Sequence, residues 1–246
     1  GPKTSPRRRT TRPAASSPRG FGVEVRTVSA GEIPAESGPA AGIEASMPPL
    51  PRGRHDLTRG QVEQSQRLRL AVAMAEACVG RGYSDTPVAA VLELAGVSRQ
   101  TFYALYANRL ECFLEALDLV GEVLVGRLAD AVAAQEGLPL DRAIAALDGY
   151  LQAIVDHPAF ARLYVVEAHA AGPRALVRRA ALQTEVVDAL AGLLGMEQPD
   201  TRFACEAFVA AVAALVTLPL ATGDVTAIIA LRDPLVSRLR ALAAES

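Results

Sequence analysis

Ala-Gly-Val-Ser-Arg-Gln-Thr-Phe-Tyr-Ala-Leu-Tyr, residues 95–106, contains the signals for two short helices that meet at a tight turn. Gly96 can adopt the left-handed backbone conformation that ends a helix. The hydroxyl of Ser98 can then accept a backbone N–H and begin a second helix at Arg99. The pattern predicts a helix-turn-helix, although glycine turns followed by serine caps also join ordinary short helices.

The residues before the turn have the pattern of an amphipathic helix. Val88, Val91, Leu92 and Ala95 recur at the spacing of one helical face. Upstream of this face, Thr86 can cap the helix if Pro87 occupies its first position, where no amide donor is needed. The first helix of the pair is therefore expected to begin at Pro87.

The second helix presents a polar face suited to a DNA duplex. Phe102 and Tyr106 lie one turn apart and are expected to point inward. Arginine can contact guanine, glutamine can contact adenine, and threonine can contact thymine or phosphate. The outward residues that could make these contacts are Arg99, Gln100, Thr101 and Tyr103. The alternative is an ordinary helical hairpin whose polar face is solvated.

The flanking segments extend the pattern to four helices. Apolar residues at helical spacing occupy residues 68–79, and Gly80, Gly82 and Tyr83 follow them. After the hairpin, Asn108 can cap a long helix that runs from Leu110 onward, with Glu111 completing a capping box.

This arrangement resembles the DNA-binding domain of the tetracycline-repressor (TetR) family over residues 61–117. Family members show a Gly-Tyr pair, a second helix that starts with threonine, Ala-Gly-Val-Ser, and then Thr-x-Tyr with a further aromatic residue. The lysine-glutamate pair usual after the recognition helix is Arg109-Leu110 here. We expect DNA contacts from Thr86, Ser98, Arg99, Gln100, Thr101, Tyr103, Tyr106 and Arg109.

Composition predicts an all-α protein of three segments. Half of the residues are hydrophobic, and strand-like alternation does not persist after the first fifty residues. We expect a flexible arm over residues 1–58, a helix-turn-helix domain over 59–109, and a helical domain for ligand binding and dimerisation over 110–246. The chain begins with Gly1-Pro2, which resembles the residue pair left by a tag-removing protease.

Positive charge is concentrated in the arm. Residues 1–60 contain ten basic and five acidic residues, whereas residues 114–246 contain ten basic and seventeen acidic ones. Pro51-Arg52-Gly53-Arg54 resembles an AT-hook, in which arginines follow a narrow minor groove of A·T-rich DNA. Arg52 and Arg54 are therefore candidate DNA-binding residues; the alternative is an arginine-bearing linker.

The sequence contains no pattern that indicates an enzyme, a metal site or a cofactor site. Cys78, Cys112 and Cys205 lie on predicted helices without metal-ligand spacing, and we expect them in the core of a cytoplasmic protein. The three histidines are far apart in sequence, and neither a nucleophile elbow nor a phosphate-binding glycine loop occurs.

The C-terminal segment is punctuated by glycine and proline into successive helices. Their predicted ranges are 110–135, 141–155, 159–171, 174–194, 201–221 and 224–244, with Pro234 expected to kink the last one. The charge-free stretch Phe208–Leu220 raises the alternative of a membrane span, but it is too short to cross a bilayer. We therefore expect no membrane association.

The TetR resemblance also implies a partner and a ligand. It implies a homodimer formed by the last two helices, which would place two recognition helices on a palindromic operator in double-stranded DNA. It further implies an apolar cavity for an unidentified small apolar or amphipathic ligand that releases a repressor. Candidate lining residues are Tyr150, Tyr164, Glu167, His169 and Phe208.

Two other functions remain open from the sequence. An architectural DNA binder would use the basic arm without ligand control and show little sequence preference. A helical ligand-binding or interaction protein would have lost operator recognition, for which Ala104 and Leu110 are modest indications.

Overall fold

A computed structural model describes Gly1 and residues 58–244, and every regular element among them is helical. This confirms the predicted all-α fold class. Arg52, Arg54 and nearly all of the predicted arm lie outside the described residues, so the predictions for them remain predictions.

The helices follow one another with short connections. They are α1 (Arg59–Arg81), α2 (Val88–Ala95), α3 (Arg99–Leu105), α4 (Arg109–Ala134), α5 (Pro139–Asp156), α6 (Pro158–Arg162), a π-helical turn (Leu163–Glu167), α7 (Ala168–Ala171), α8 (Pro173–Leu194), α9 (Pro199–Thr222), α10 (Val225–Ala230) and α11 (Arg232–Ala243). The bounds agree with the predicted ones to within a few residues, except in the region 158–171 and at the C-terminus.

Two of the predicted helix caps are confirmed. Ser98 accepts the backbone N–H of Thr101 at 3.0 Å, and Asn108 accepts that of Glu111 at 3.1 Å. The reciprocal half of the predicted capping box does not occur, because the Glu111 carboxylate pairs with Arg174 at 2.6 Å. An interhelical ion pair between α4 and α8 has taken the place of a local cap.

The predicted effect of Pro234 is wrong. The last helical segment is broken at Leu231 into α10 and α11, and Pro234 is the third residue of α11. Residues in the first turn of a helix need no intrahelical amide donor, so proline is tolerated there without a kink. Pro234 therefore belongs to the start of a new helix.

The buried residues form two cores. The first joins α1, α2, α3 and the first half of α4, up to Val120, to residues of α6, α7 and α8. The second joins α5, α8, α9, α10 and α11. Since α4 belongs to the first core well beyond residue 110, the three-helix unit shares its hydrophobic core with the start of the C-terminal helices.

All three cysteines are buried with free thiols, as the sequence predicted. Burial raises the pKa of Cys78 to about 11 and that of Cys112 to about 12, so these thiols stay protonated at neutral pH. They act as small apolar core residues.

Helix α9 is more apolar than a surface helix usually is. It is 24 residues long, and its most apolar 18-residue window has a mean hydropathy of 2.1 with 22% of the window buried. The helix is therefore long enough to cross a bilayer by length and composition, contrary to the expectation from the shorter charge-free stretch. Cys205, Val212, Val216 and Leu220 nevertheless pack into the second core.

Candidate DNA interface and ligand cavity

The turn between α2 and α3 is fixed by a glycine and an arginine. Gly96 has φ +59° and ψ +36°, the left-handed conformation that ends α2. Arg69 of α1 donates Nη2 to the carbonyls of Ala95 and Gly96, the latter at 3.2 Å. A cation at a helix C-terminus satisfies carbonyls that have no partner within the helix. Arg69 therefore ties α1 to the end of α2 and sets the angle of the turn.

The polar face of α3 is accessible. Arg99 and Gln100 are exposed, and Tyr103 is 50% exposed with its ring edge-on to that of Phe102. The half-buried Thr101 hydroxyl lies 2.9 Å from that of Ser98, at the first turn of the helix. The four residues Arg99, Gln100, Thr101 and Tyr103 thus lie on one short helix, and the fully buried Phe102 lies on its inner side.

Tyr106 lies on the inner side of this unit. Its side chain is only 4% exposed, its ring lies 5.5 Å from that of Phe102, and the Arg67 guanidinium lies 5.3 Å from its centroid. Arg67 is itself held by Glu115 at 2.6 Å. The structure therefore assigns Tyr106 to packing between α3, α1 and α4, which corrects its prediction as a DNA-contacting side chain.

Thr86 and Arg109 also have structural roles that the sequence did not predict. Thr86 is fully buried and donates its hydroxyl to the carbonyl of Gly82 at 2.7 Å, so it does not cap α2, whose cap position is Pro87. Arg109 donates to the carbonyls of Ser84 and Thr86, and its guanidinium lies 4.2 Å from the Tyr83 ring centroid. Both side chains hold the α1–α2 loop. The full burial of Thr86 corrects its prediction as a direct DNA contact, whereas Arg109 is half-buried and its predicted DNA contact stays a prediction.

A cavity of about 520 Å³ opens among α4, α5, the π-helical turn, α8 and α9. Its wall is mostly aliphatic, and Tyr150, Tyr164 and Phe208 contribute to it. The volume is within the usual range for small-molecule sites. A smaller cavity of about 50 Å³ shares Tyr150 and Tyr164 and extends toward His157 and Phe160.

His157 is a buried neutral side chain beside the smaller cavity. Its Nε2 lies 2.9 Å from Nη2 of Arg127, which can only donate, so Nε2 accepts and the proton is on Nδ1. Nδ1 is buried and has no hydrogen-bond partner among the described residues. Burial and the neighbouring Arg127 lower the pKa of His157.

Glu167 and His169, the other two predicted ligand residues, do not line either cavity. His169 is exposed on α7. Glu167 is 3% exposed and accepts the backbone N–H of Tyr83 at 2.8 Å and Nε of Arg162 at 3.0 Å. The prediction for these two residues is corrected, because one faces solvent and the other faces the α1–α2 loop.

Glu167 belongs to a chain of polar contacts between the α1–α2 loop and the C-terminus of α9. Arg162, its ion-pair partner, also donates to the carbonyls of Ala221 at 2.9 Å and Leu220 at 3.5 Å, at the C-terminus of α9. The same π-helical turn that supplies Glu167 places Tyr164 in the wall of both cavities. The cavity, the α1–α2 loop and the end of α9 are thus connected through one five-residue turn.

Sequence reasoning missed Arg69 and Arg179. Arg69 lies on a helix with many arginines nearby, and only the folded structure shows that it reaches the end of α2. Arg179 lines the large cavity and adjoins Arg178, which instead pairs with Asp118 near the surface. Neither residue has a sequence signal that separates it from its neighbours. Within residues 58–244, no group of His, Cys, Asp and Glu side chains could hold a metal ion.

No family model matches the sequence, and no curated protein matches it significantly. Several solved structures, however, match the fold of this chain. The fatty acid degradation regulator FadR from Bacillus halodurans is 14% identical, with a TM-score of 0.61 over 70% of this chain and 96% of that protein. FadR from Bacillus subtilis, solved in complex with stearoyl-CoA, is 15% identical, with a TM-score of 0.60 over 70% of this chain and 96% of that one.

A TetR-like transcriptional regulator from Rhodococcus sp. RHA1 is 22% identical, with a TM-score of 0.55 over 74% of this chain and 97% of that protein. The similarity therefore extends over nearly the whole length of each of the three solved proteins. It includes the helix-turn-helix unit as well as the helices around the cavity, and it agrees with the resemblance in residues 61–117. The chain has the TetR-type fold.

Proposed function

We propose that the protein is a homodimeric, cytoplasmic, sequence-specific DNA-binding regulator, a repressor that a small apolar or amphipathic ligand releases from a palindromic operator. The observation that carries this proposal is the exposed polar face of α3, held at a fixed angle by Gly96 and Arg69. A helix in this position can enter the major groove, with residues near its N-terminus reaching the bases. The solved proteins of the same fold are transcriptional regulators.

In this proposal Arg99, Gln100 and Tyr103 contact DNA from the exposed face of α3. Ser98 and Thr101, at the start of the helix, are placed to donate or accept at a phosphate, and Arg52 and Arg54 follow the adjacent minor groove. Tyr106 and Thr86 support the unit from inside, and the half-buried Arg109 holds the α1–α2 loop and can also contact a phosphate. A duplex contact by α3 covers only a few base pairs, so a second copy is needed for a specific site.

The exposed apolar face of α9 supports the dimer. Phe203 is 67% exposed and Leu218 is 71% exposed, and these two residues lie on one face of the helix about 22 Å apart. Alanines fill the positions between them: Ala207, Ala210, Ala211 and Ala214. A continuous apolar face of this length marks an interaction surface, and we assign it to the same face of a second copy.

The cavity and the π-helical turn support control by a ligand. A molecule that displaces Tyr164 would act on the turn that also supplies Glu167 to the α1–α2 loop. Such a ligand would weaken DNA binding only to the extent that it prefers the conformation with lower operator affinity. The Bacillus subtilis FadR structure contains stearoyl-CoA, an amphipathic molecule with a long apolar chain.

The experiment that tests this function is selection of bound sequences from a random duplex pool by the full chain. We expect a two-fold symmetric sequence, and we expect Gln100→Ala to lose preference at one position of each half-site, at a cost of about 1–3 kcal/mol. The matched variant Arg52→Ala/Arg54→Ala should keep the palindrome and lose only a flanking A·T preference.

Two results would contradict the proposal. Binding without sequence preference and with a steep dependence on salt would support the architectural DNA binder. Absence of saturable DNA binding at physiological salt would support a helical ligand-binding or interaction protein.

A further inference from the structure

Arg179 is an unusual side chain in the wall of the large cavity. The wall is otherwise formed mainly by leucine, valine and alanine from α4, α5, α8 and α9. The Nε atom of Arg179 is buried and has no hydrogen-bond partner within the part of the chain that the structure describes. Among the described residues, its guanidinium forms no ion pair, and its nearest aromatic contact is the Tyr164 ring at 5.9 Å.

The side chain of Arg179 is half-buried overall, but leaving its buried Nε without an acceptor is costly. A buried donor that loses water and gains no acceptor destabilises the folded state, and a charged donor does so more strongly. The other arginine of the wall, Arg142, donates Nε to the carbonyl of Val132 at 3.2 Å. The neighbouring Arg178 pairs with Asp118. Arg179 therefore differs from both in having an unused donor within the cavity wall.

Two tyrosines add hydroxyl groups to the same cavity wall as Arg179. Tyr164 donates its hydroxyl to the backbone carbonyl of Arg179 at 3.3 Å, which fixes the position of α8 at this point. The Tyr150 hydroxyl forms no hydrogen bond among the described residues. Burial raises the pKa of Tyr164 to about 12 and also raises that of Tyr150, so both keep their protons at neutral pH. A protonated hydroxyl can donate to an anion.

No acidic side chain within residues 58–244 forms an ion pair with Arg179. Glu185 is the acidic residue in the cavity wall, and it is exposed and forms no ion pair with Arg179. The cavity therefore combines a large apolar surface with a guanidinium that has no ion-pair partner, and a hydroxyl that has no hydrogen bond, among residues 58–244. This combination matches a molecule that has an apolar body and a single anionic group.

We propose that the cavity binds an amphipathic anion, with its carboxylate or equivalent oxyanion bound by Arg179 and Tyr150 and its apolar part enclosed by α4, α5 and α9. The anion accepts charge-assisted hydrogen bonds from the guanidinium. The assignment of this molecule as the regulatory ligand rests on the proposed function, whereas its binding does not.

The test compares three probes that share one hydrocarbon chain: dodecanoate, dodecanol and dodecylammonium. Their dissociation constants are measured by isothermal titration calorimetry with the full chain. We expect dodecanoate to bind at least about tenfold more tightly than dodecanol, because a charge-assisted hydrogen bond is added to the same apolar contacts. Dodecylammonium should bind more weakly than either.

Variants of α8 locate the anion. Arg179→Gln should remove the preference for dodecanoate and leave dodecanol binding unchanged, and Arg179→Lys should restore part of the preference. The matched control is Arg178→Gln, which removes the same charge from the adjacent residue outside the cavity and should leave all three dissociation constants unchanged.

Equal binding of dodecanoate and dodecanol by the unmodified chain would overturn the proposal. So would an equal loss of both in Arg179→Gln, since that result would indicate a packing role. The proposed function is measured separately, by the sequence selection. If anion binding depends on Arg179 but no DNA sequence is selected, the ligand site stands and the regulatory function fails.

Discussion

Gly96 satisfies two constraints at the turn that orients α3. Its φ of +59° is unfavourable for residues with a side chain, and a Cβ atom there would lie 2.7 Å from Nη2 of Arg69. A larger residue would therefore strain the backbone and displace the guanidinium that binds the end of α2. The conformation of one glycine thus determines how α3 is presented.

We predict that Gly96→Ala lowers the free energy of unfolding by about 2 kcal/mol, measured by urea denaturation, because it adds backbone strain and disturbs the Arg69 contacts. Gly195→Ala is the matched control. Gly195 has a similar φ of +72° with no atoms within 4 Å of a Cβ, so it reports backbone strain alone. Equal losses in the two variants would show that the Arg69 contact contributes nothing.

A second residue-scale prediction concerns the buried neutral His157. Because burial and Arg127 lower its pKa below the ordinary 6.5, the unfolded chain binds a proton there more readily than the folded chain. This part of the stability is complete above the unfolded pKa and is lost as pH falls from there toward the folded pKa. Asp156, which lies 3.8 Å from Arg127, opposes the shift without reversing it.

Urea denaturation from about pH 7.5 to about pH 5.5 measures this effect. We expect the unmodified chain to lose stability over this interval and His157→Gln to lose less of it. His169→Gln, which alters an exposed histidine, should behave like the unmodified chain. If His157→Gln and the unmodified chain have the same pH dependence, the neutral state of His157 has been misassigned.

At the scale of elements, the π-helical turn connects the cavity, the α1–α2 loop and the end of α9. It supplies Tyr164 to the cavity and Glu167 to the α1–α2 loop, and Arg162 directly before it binds the end of α9. We predict that Glu167→Ala lowers the free energy of unfolding by about 3 kcal/mol, because it leaves the Tyr83 amide and Arg162 without their shared acceptor. Glu167→Gln should lose less, since its amide oxygen can still accept from Tyr83.

Asp118→Ala is the comparison variant for the Glu167–Arg162 ion pair, because it removes a more exposed ion pair. Asp118 joins α4 to α8 through Arg178, whose side chain is 51% exposed, so its loss should cost about 0–1 kcal/mol. Urea denaturation measures the free energy of unfolding of these variants. Operator affinity with and without dodecanoate measures how strongly ligand binding is coupled to DNA binding. If Glu167→Gln retains the full effect of dodecanoate on operator affinity, the ion pair does not transmit the response.

The helices were predictable because their signals are local. The Ser98 and Asn108 caps and the apolar periodicities depend on residues only a few positions apart. The structural roles of Thr86 and Arg109 were not predictable because their partners are carbonyls of a loop whose path depends on the whole fold. Glu167 contacts a residue 84 positions away, and its sequence neighbours gave no indication of that contact. The cavity tyrosines were found by residue type, but the unpaired state of Arg179 depends on three-dimensional surroundings.

At the scale of the whole molecule, the exposed face of α9 predicts the oligomeric state. We expect Leu218→Arg to convert a dimer into a monomer in sedimentation equilibrium, because two guanidinium groups would be buried at a two-fold interface. Leu138→Arg, which changes an equally exposed leucine before α5, should leave the dimer intact. A dimeric Leu218→Arg variant would show that another surface forms the interface.

Loss of the dimer should also reduce operator binding by a large factor, since a single recognition helix contacts only a few base pairs. Ligand binding in Leu218→Arg should persist, because the cavity is lined by residues of one chain. Electrophoretic mobility and calorimetry on the same variant would separate the two outcomes.

The hydrogen bond from the Tyr83 amide to the Glu167 carboxylate lets one backbone amide report on contact between the π-helical turn and the α1–α2 loop. An amide that is buried and bound to a carboxylate exchanges with solvent deuterium only when the local structure opens. Under the proposed function, a ligand that loosens this contact should speed exchange at Tyr83, while the helical amides inside α1 remain protected. Ligand action at the cavity would then be visible as deuterium uptake at the edge of the DNA-binding unit, without any DNA being present.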